Sequence, residues 1–475
     1  MPDSDIYLAG FAFSGFRSVY TDDLAVVGPL SKITLLAGRN NAGKSNVLRF
    51  VTGYLKSGGD RRAAPVDLDV PQREDGSPSP SFRFAIALHE ESERVGQLYD
   101  LANRARPGHG ALLRTVFKAP SCRLTDDELI WVKFIMPTGN SSEVLVDGTQ
   151  CVQLASEVDR TLLQDFSTIF TSSSGGAVGD DARSVLGQLN AFSSLPKVQM
   201  IETVRQIDNA PADGKSYNGT GLIASLQALQ NPTAANKLDR QKFRAINRFV
   251  QTVFEDEHAQ LEIPHNLETI NISRLDSVLP LDNYGTGIHQ VIILAAAATV
   301  LQKHLICVEE PESNLHPILQ RQLLHYLREN THNQYLIATH SAQMLDYEKS
   351  AVFALVNGPA GTETRWRNDG RMITRLRKAM RCPASIPSAD SDARPSEISE
   401  MSVLVPPMSN GTRSGISKRL AQRRAPDTPP AGPDSTVPAA SREAFSTGAM
   451  PPCDRITNSA PLNPASERRC SRLVR

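Results

Sequence analysis

Gly38-Arg39-Asn40-Asn41-Ala42-Gly43-Lys44-Ser45 has the spacing G-x-x-x-x-G-K-S. A loop of this kind can wrap a triphosphate in backbone N–H groups, because glycine alone lets the chain approach so closely. Gly38, Asn40, Asn41 and Gly43 line such a cradle. Lys44 can bridge the β- and γ-phosphates, and the Ser45 hydroxyl can bind Mg²⁺. Asn46 follows in the first turn of a helix whose positive end would face the anion.

Two acids form a second candidate group. In Leu305-Ile306-Cys307-Val308-Glu309-Glu310, four apolar residues predict a buried strand, and both glutamates emerge at its C-terminal end. That edge is where α/β sheets bind ligands. Glu309 is suited to holding Mg²⁺ through water, and Glu310 to polarising an attacking water. A strand ending in solvated acids would look the same without a P-loop upstream. Further on, Tyr335-Leu336-Ile337-Ala338-Thr339 leads to His340, a candidate sensor of the γ-phosphate by hydrogen bonding. Gly285-Thr286-Gly287 opens a long apolar helix and could form an anion site there. By spacing alone it reads more readily as a simple helix start.

These groups need elements to carry them. Ile6–Leu8 and Phe11–Phe13 read as a strand continued by Phe16–Val19. Ile33–Leu36 is a strand buried on both faces, and Asn46–Leu55 has helical spacing. Residues 56–80 read as a loop and Phe82–Leu88 as a strand. Helical patches follow at Glu91–Arg104, Val152–Phe170 and Gln241–Phe254, so residues 90–275 are expected to be an inserted, mostly helical arm. From residue 276 the pattern sharpens. His289–Leu301 and Pro317–Arg328 are helices, while Leu305–Val308, Tyr335–Ala338 and Ala351–Val356 are strands. Short links between alternating strands and helices predict an α/β layered sheet. The expected organisation is therefore 1–89 and 276–382 as two parts of one head, 90–275 as the arm, and 383–475 as a tail.

The tail differs in kind. Residues 383–475 hold 14 of the 31 prolines, with eleven Arg and one Lys against nine acids. Such a segment buries too little apolar surface to offset its ordering entropy, so disorder is expected. Over the whole chain, 51 basic and 51 acidic side chains cancel, which argues against a strongly basic nucleic-acid binder. The six cysteines form no C-x-x-C pair and read as thiols in a reducing compartment. The start has no secretory pattern, and the longest nearly apolar run, Val291–Leu301, is too short to span a bilayer. A cytoplasmic protein with no membrane contact is expected.

The four groups in this order resemble the ATPase domain of ABC-type proteins, a P-loop NTPase fold. The likeness is closer to the OLD (overcoming lysogenization defect) family and related SMC-like AAA ATPases of phage defence and DNA repair. Phe16-Arg17-Ser18 with Ile33–Ser45 is similar to that family's N-terminal block. Glu309-Glu310-Pro311-Glu312-Ser313-Asn314-Leu315-His316-Pro317 is similar to its Walker B and D-loop segment. Gly285-Thr286-Gly287 stands where its signature loop stands, and His340 matches its switch histidine. The resemblance implies two heads sandwiching two Mg·ATP, each γ-phosphate meeting Lys44 of one head and the signature loop of the other. It also implies partners: a second copy of the chain or a higher oligomer, DNA, and a separate nuclease or effector subunit.

Two departures from the family pattern stand out. Full-length OLD proteins carry a C-terminal Toprim nuclease, yet the acids of the tail (Asp390, Asp392, Glu397, Glu400) have no strand pattern around them, so no nuclease activity is expected. The abrupt change of composition near residue 382 looks like translation out of frame, although short family members that work beside a nuclease subunit also exist. No clear Q-loop follows Phe82–Leu88. Arg205 and Lys215 could meet DNA or a partner, but read more simply as a solvated face. The competing functions are an ATP-hydrolysing head, an ATP-dependent dimerising scaffold with little turnover, and a small-molecule kinase. The kinase would have no use for a signature loop or a pairing surface.

Overall fold

The computed structural model describes residues 5–20, 23–57, 67–71, 82–136, 144–201, 220–232, 237–275, 277–358 and 361–366. The tail 383–475, Arg205, Lys215 and most of the 56–80 loop lie outside the described residues.

The chain begins with β1 (Gly10–Ser14), β2 (Ala25–Val27) and β3 (Ile33–Ala37), then α1 (Lys44–Tyr54) and β4 (Arg83–His89). Next come α2 (Glu93–Ala105), α3 (His109–Phe117), β5 (Leu129–Ile135), β6 (Leu145–Val146), α4 (Gly148–Glu157), α5 (Arg160–Thr171) and α6 (Asp180–Gln188). β7 (Lys197–Ile201), α7 (Thr220–Gln230), α8 (Lys237–Phe254), β8 (Gln260–Glu262), β9 (Asn271–Arg274) and β10 (Ser277–Pro280) follow. The last described stretch holds α9 (Thr286–Val300), β11 (His304–Glu309), α10 (Pro317–Asn330), β12 (Gln334–Thr339), β13 (Ala351–Gly358) and β14 (Gly361–Trp366).

Among the described residues the central sheet has the order β14-β13-β3-β12-β11-β7. Its pairs are parallel except β13–β14, a hairpin. The two-residue period of its strands divides the core. Leu36, Leu305, Cys307, Leu336, Ala338 and Phe353 face one side. Leu35, Ile306, Val308, Tyr335, Ile337 and Val352 face the other. A sheet buried on both faces must be the middle layer.

On the first side lie α1 and an antiparallel sheet of order β2-β1-β4-β5-β6. Between them sits an aromatic cluster in which Phe13 and Phe50 stack at 4.2 Å and Tyr54 meets Phe82 at 4.8 Å. Fully burying each such ring contributes on the order of 2–3 kcal/mol, so α1 is seated firmly. The other side takes α7 to α10. Every residue of α9 from Val291 to Thr299 is buried, as a helix apolar on all sides requires.

The layered mixed α/β architecture expected from the sequence is thus present, with local corrections. Ile6–Leu8 is not a strand, since β1 starts at Gly10, and Phe16–Val19 does not continue it. Phe16 and Val19 exchange backbone hydrogen bonds of 3.0 and 2.8 Å across a tight turn, with Arg17 at φ 48°. Val152–Phe170 is two helices, because Asp159 accepts the Thr161 N–H at 2.7 Å and starts a second one. The 90–275 stretch contributes strands to both sheets: β5 pairs with β4, and β7 pairs with β11. The flanking helical patches hide these short apolar runs, and sheet edges already in place make them strands.

Candidate functional site

β12 lies between β3 and β11, and their C-terminal ends are in register: Thr339 opposes Ala37, and Glu309 opposes Ala338. Parallel pairing therefore gathers the P-loop after β3, the acid pair after β11 and His340 after β12 at one edge of the sheet.

The P-loop turns sharply between β3 and α1. Asn41 (φ 65°) and Gly43 (φ 88°) are left-handed. A Cβ at Gly43 would stand 2.4 Å from Thr362 Oγ1, and one at Gly38 would stand 2.8 Å from the Leu355 carbonyl oxygen, so both positions require glycine. No side chain caps α1, and its first turn holds no acid, which leaves its positive end suited to an anion. Lys44 is buried and its Nζ donates to the carbonyls of Gly38 (2.9 Å) and Arg39 (3.0 Å), folding the ammonium over the loop. Burial pulls its pKa below the usual lysine value, against the attraction of Glu310, Glu312 and Glu309. Asn40 and Asn41 are exposed. The Asn46 amide donates to Ser18 Oγ at 2.8 Å, which gives it a bracing role in this geometry.

Ser45 and Glu309, 264 residues apart in sequence, are joined by a hydrogen bond from the Ser45 hydroxyl to Glu309 Oε1. A hydroxyl and a carboxylate from two elements are the protein share of a Mg²⁺ site that phosphate and water oxygens complete. The described residues hold no cluster of three or more His, Cys, Asp or Glu that would make an all-protein cage. The donor set therefore fits a nucleotide-borne magnesium.

Glu310 is left-handed at φ 41° and its N–H donates to the Ala338 carbonyl at 2.9 Å. A non-glycine residue held there costs on the order of 1–3 kcal/mol and points to a functional constraint. His340 Nδ1 lies 3.5 Å from Glu310 Oε1 and 3.2 Å from Glu312 Oε1. Glu312 was not among the residues singled out from the sequence, yet its side chain is 4% exposed beside these groups. The only local signal for it was a third acid placed directly after Pro311, two residues beyond the acid pair.

Gly285 and Thr286 are exposed at the start of α9, whereas Gly287 is buried. A Cβ at Gly287 would stand 2.1 Å from the Asn314 carbonyl oxygen, so the Gly285–Gly287 turn packs on the Asn314–Leu315 segment. His289 Nε2 lies 3.0 Å from Asp282, and burial holds its pKa below the ordinary value against that carboxylate. The β13–β14 hairpin, of which only β13 was expected from the sequence, braces the P-loop. Asn357 donates to the Asn41 carbonyl at 2.8 Å, and Thr362 Oγ1 donates to Ser18 Oγ at 2.9 Å. A separate cleft of ≈ 580 Å³ between α8 and α10 shares no residue with the P-loop, the acid pair or His340.

Cys122, Cys151 and Cys307 are buried free thiols, the first two raised by burial to about 12 and about 11. No helix among the described residues is long and apolar enough to cross a membrane.

Residues 166–346 match the family model described as "AAA domain, putative AbiEii toxin, Type IV TA system". The matched stretch takes in Gly285–Gly287, Glu309, Glu310 and His340, and begins after the P-loop. Solved structures similar to the chain include three SMC heads. One is an SMC head bound to the C-terminal winged-helix domain of ScpA (14% identity, TM-score 0.41, covering 77% of this chain and 100% of that one). The second is the SMC head domain from Thermotoga maritima (15%, 0.38, 77% and 100%). The third is an SMC head with an extended coiled coil bound to the C-terminal domain of ScpA, from Pyrococcus furiosus (14%, 0.39, 79% and 100%). No curated protein sequence matches.

Proposed function

We propose that this chain binds Mg·ATP at the edge formed by β3, β12 and β11, hydrolyses it, and pairs with a second copy when it does. The single observation that carries the reading is the meeting of Ser45 with Glu309 beside the buried Lys44. In this reading Gly38, Asn40, Asn41 and Gly43 cradle the phosphates, Lys44 neutralises them, and Ser45 with Glu309 hold the magnesium. The ion would supply charge neutralisation on the phosphate oxygens. Glu310 orients the attacking water and His340 senses the γ-phosphate.

The exposed Gly285–Thr286 turn suits a γ-phosphate held by another copy. Its partner groups would then lie across a two-fold interface. A head of OLD type, acting in DNA processing, repair or defence beside a separate nuclease or effector, is the role most consistent with the motif order. ATP would shift the population of open and closed pairs.

The test is phosphate release together with sedimentation, each with and without Mg·ATP. Wild type is expected to release phosphate and to sediment as a larger species with ATP. Glu310→Gln is expected to lose release while keeping the larger species. If the substitution leaves both unchanged, the chain is a scaffold with no catalytic glutamate at this position. A protein that ignores nucleotide altogether ends the reading.

A further inference from the structure

Glu312 is the hub of the turn that presents His340. Its Oε1 accepts the Thr339 hydroxyl at 2.7 Å and the His340 backbone N–H at 2.6 Å. The same oxygen lies 3.2 Å from His340 Nδ1. Thr339 Oγ1 in turn accepts the Ser341 N–H at 3.0 Å, and Ser341 Oγ donates to Gln320 Oε1 at 2.6 Å. The end of β12 is thus tied to the segment after β11 through one buried carboxylate. Its second oxygen, Oε2, is buried without a hydrogen-bond partner among the described residues. A buried carboxylate with one empty acceptor is costly, and a site that needed only a backbone cap could use a neutral group.

Resting on the ATPase reading above, we propose that Glu312 is a positioning residue. Its negative charge attracts the Nδ1 edge of the His340 ring and so fixes how the ring is turned, with Nε2 facing the γ-phosphate. The direction of one ring nitrogen is set by what the other meets. Glu312 touches neither nucleotide nor water in this scheme and acts through His340. Its effect therefore belongs to turnover and not to ATP affinity.

Glu312→Gln is the informative change, since it keeps the shape and one acceptor oxygen for Thr339 and the His340 N–H but removes the charge. The expected result is a fall in kcat of about tenfold or more, with KM for ATP within about twofold of wild type. Glu312→Asp, which restores the charge, is expected to recover part of kcat. In a His340→Ala background the same Glu312→Gln change should alter kcat by less than about twofold, because coupled residues are not additive. Wild-type kcat in Glu312→Gln, or effects that multiply in the double variant, would overturn the proposal while leaving the ATPase reading intact.

If wild type releases no phosphate, that reading fails, and the positioning role is decided on the nucleotide-free protein. The ring nitrogen-15 shifts of His340, assigned by their loss in His340→Ala, are then expected to move in Glu312→Gln and to return toward wild type in Glu312→Asp. Unmoved shifts would overturn it. Should the Gln variant fail to fold, the Asp variant is expected to keep the wild-type ring shifts, and a displaced set there would count against the proposal.

Discussion

Among the described helices that begin at a glycine with no side-chain cap and no acid in the first turn, α1 and α9 are built for different ends. The start of α1 is walled in: Gly43 is packed against Thr362 and Ser18, Lys44 is buried, and Ser45 reaches Glu309. The start of α9 is open. Gly285 and Thr286 are exposed, and a Cβ at Gly285 would meet nothing within 4 Å. Both starts have the backbone donors of an anion site. Only the first has its lysine, hydroxyl and carboxylates supplied by the same chain. The difference teaches that a helix terminus becomes a complete site only through what surrounds it. It also suits a division of labour in which the first start holds its own nucleotide and the second meets one carried by another copy.

That contrast can be broken in several places. The largest expected effect is at Glu310. Glu310→Gln should lower kcat about 100-fold or more while ATP binding persists, as loss of a water-activating group does, read by phosphate release beside nucleotide titration. Next comes the closed start. Lys44→Ala should weaken ATP about 10- to 100-fold through loss of charge-assisted phosphate contacts, and Gly43→Ala should act similarly by driving a Cβ into Thr362, both read by calorimetry.

The open start offers a sharper pair. Gly287→Ala should destabilise the fold by about 1–3 kcal/mol, since Asn314 must move, whereas Gly285→Ala should cost about 0.5 kcal/mol or less in denaturant unfolding. If α9 serves a second copy, Gly285→Ala should still reduce ATP-driven pairing in sedimentation. Unchanged pairing would erase the distinction between the two starts. The smallest effect is expected at Thr362→Ala, about 1 kcal/mol of stability from one hydrogen bond to Ser18, with a modest loss of nucleotide affinity as the P-loop brace loosens.

Much of the site was legible because its chemistry is written locally. The G-x-x-x-x-G-K-S run specifies its own turn, and Leu305–Glu310 specifies a strand with acids at its end. Helix ends and strand lengths near these motifs followed from spacing as well. β3, α1, β11 and β12 fall within a residue or two of their expected bounds, and α9 starts earlier, at Thr286. Less was legible where partners are distant. β5 and β7 are short apolar runs whose identity as strands depends on the edges of β4 and β11. The contact of the Asn46 amide with Ser18, 28 residues upstream, was likewise not legible.

Sequence by itself determined which atoms are available: a glycine-rich loop with a lysine and a serine, twin glutamates after an apolar strand, and a histidine after the next. Those are covalent neighbours, so residue order alone sets them. Tertiary structure decided that β12 would lie between β3 and β11, and so that Ser45 would touch Glu309 and that Glu312, not singled out from the sequence, would be buried against His340. The physical reason is that strand order and burial are set by sheet pairing and core packing over hundreds of residues, and no local spacing encodes them.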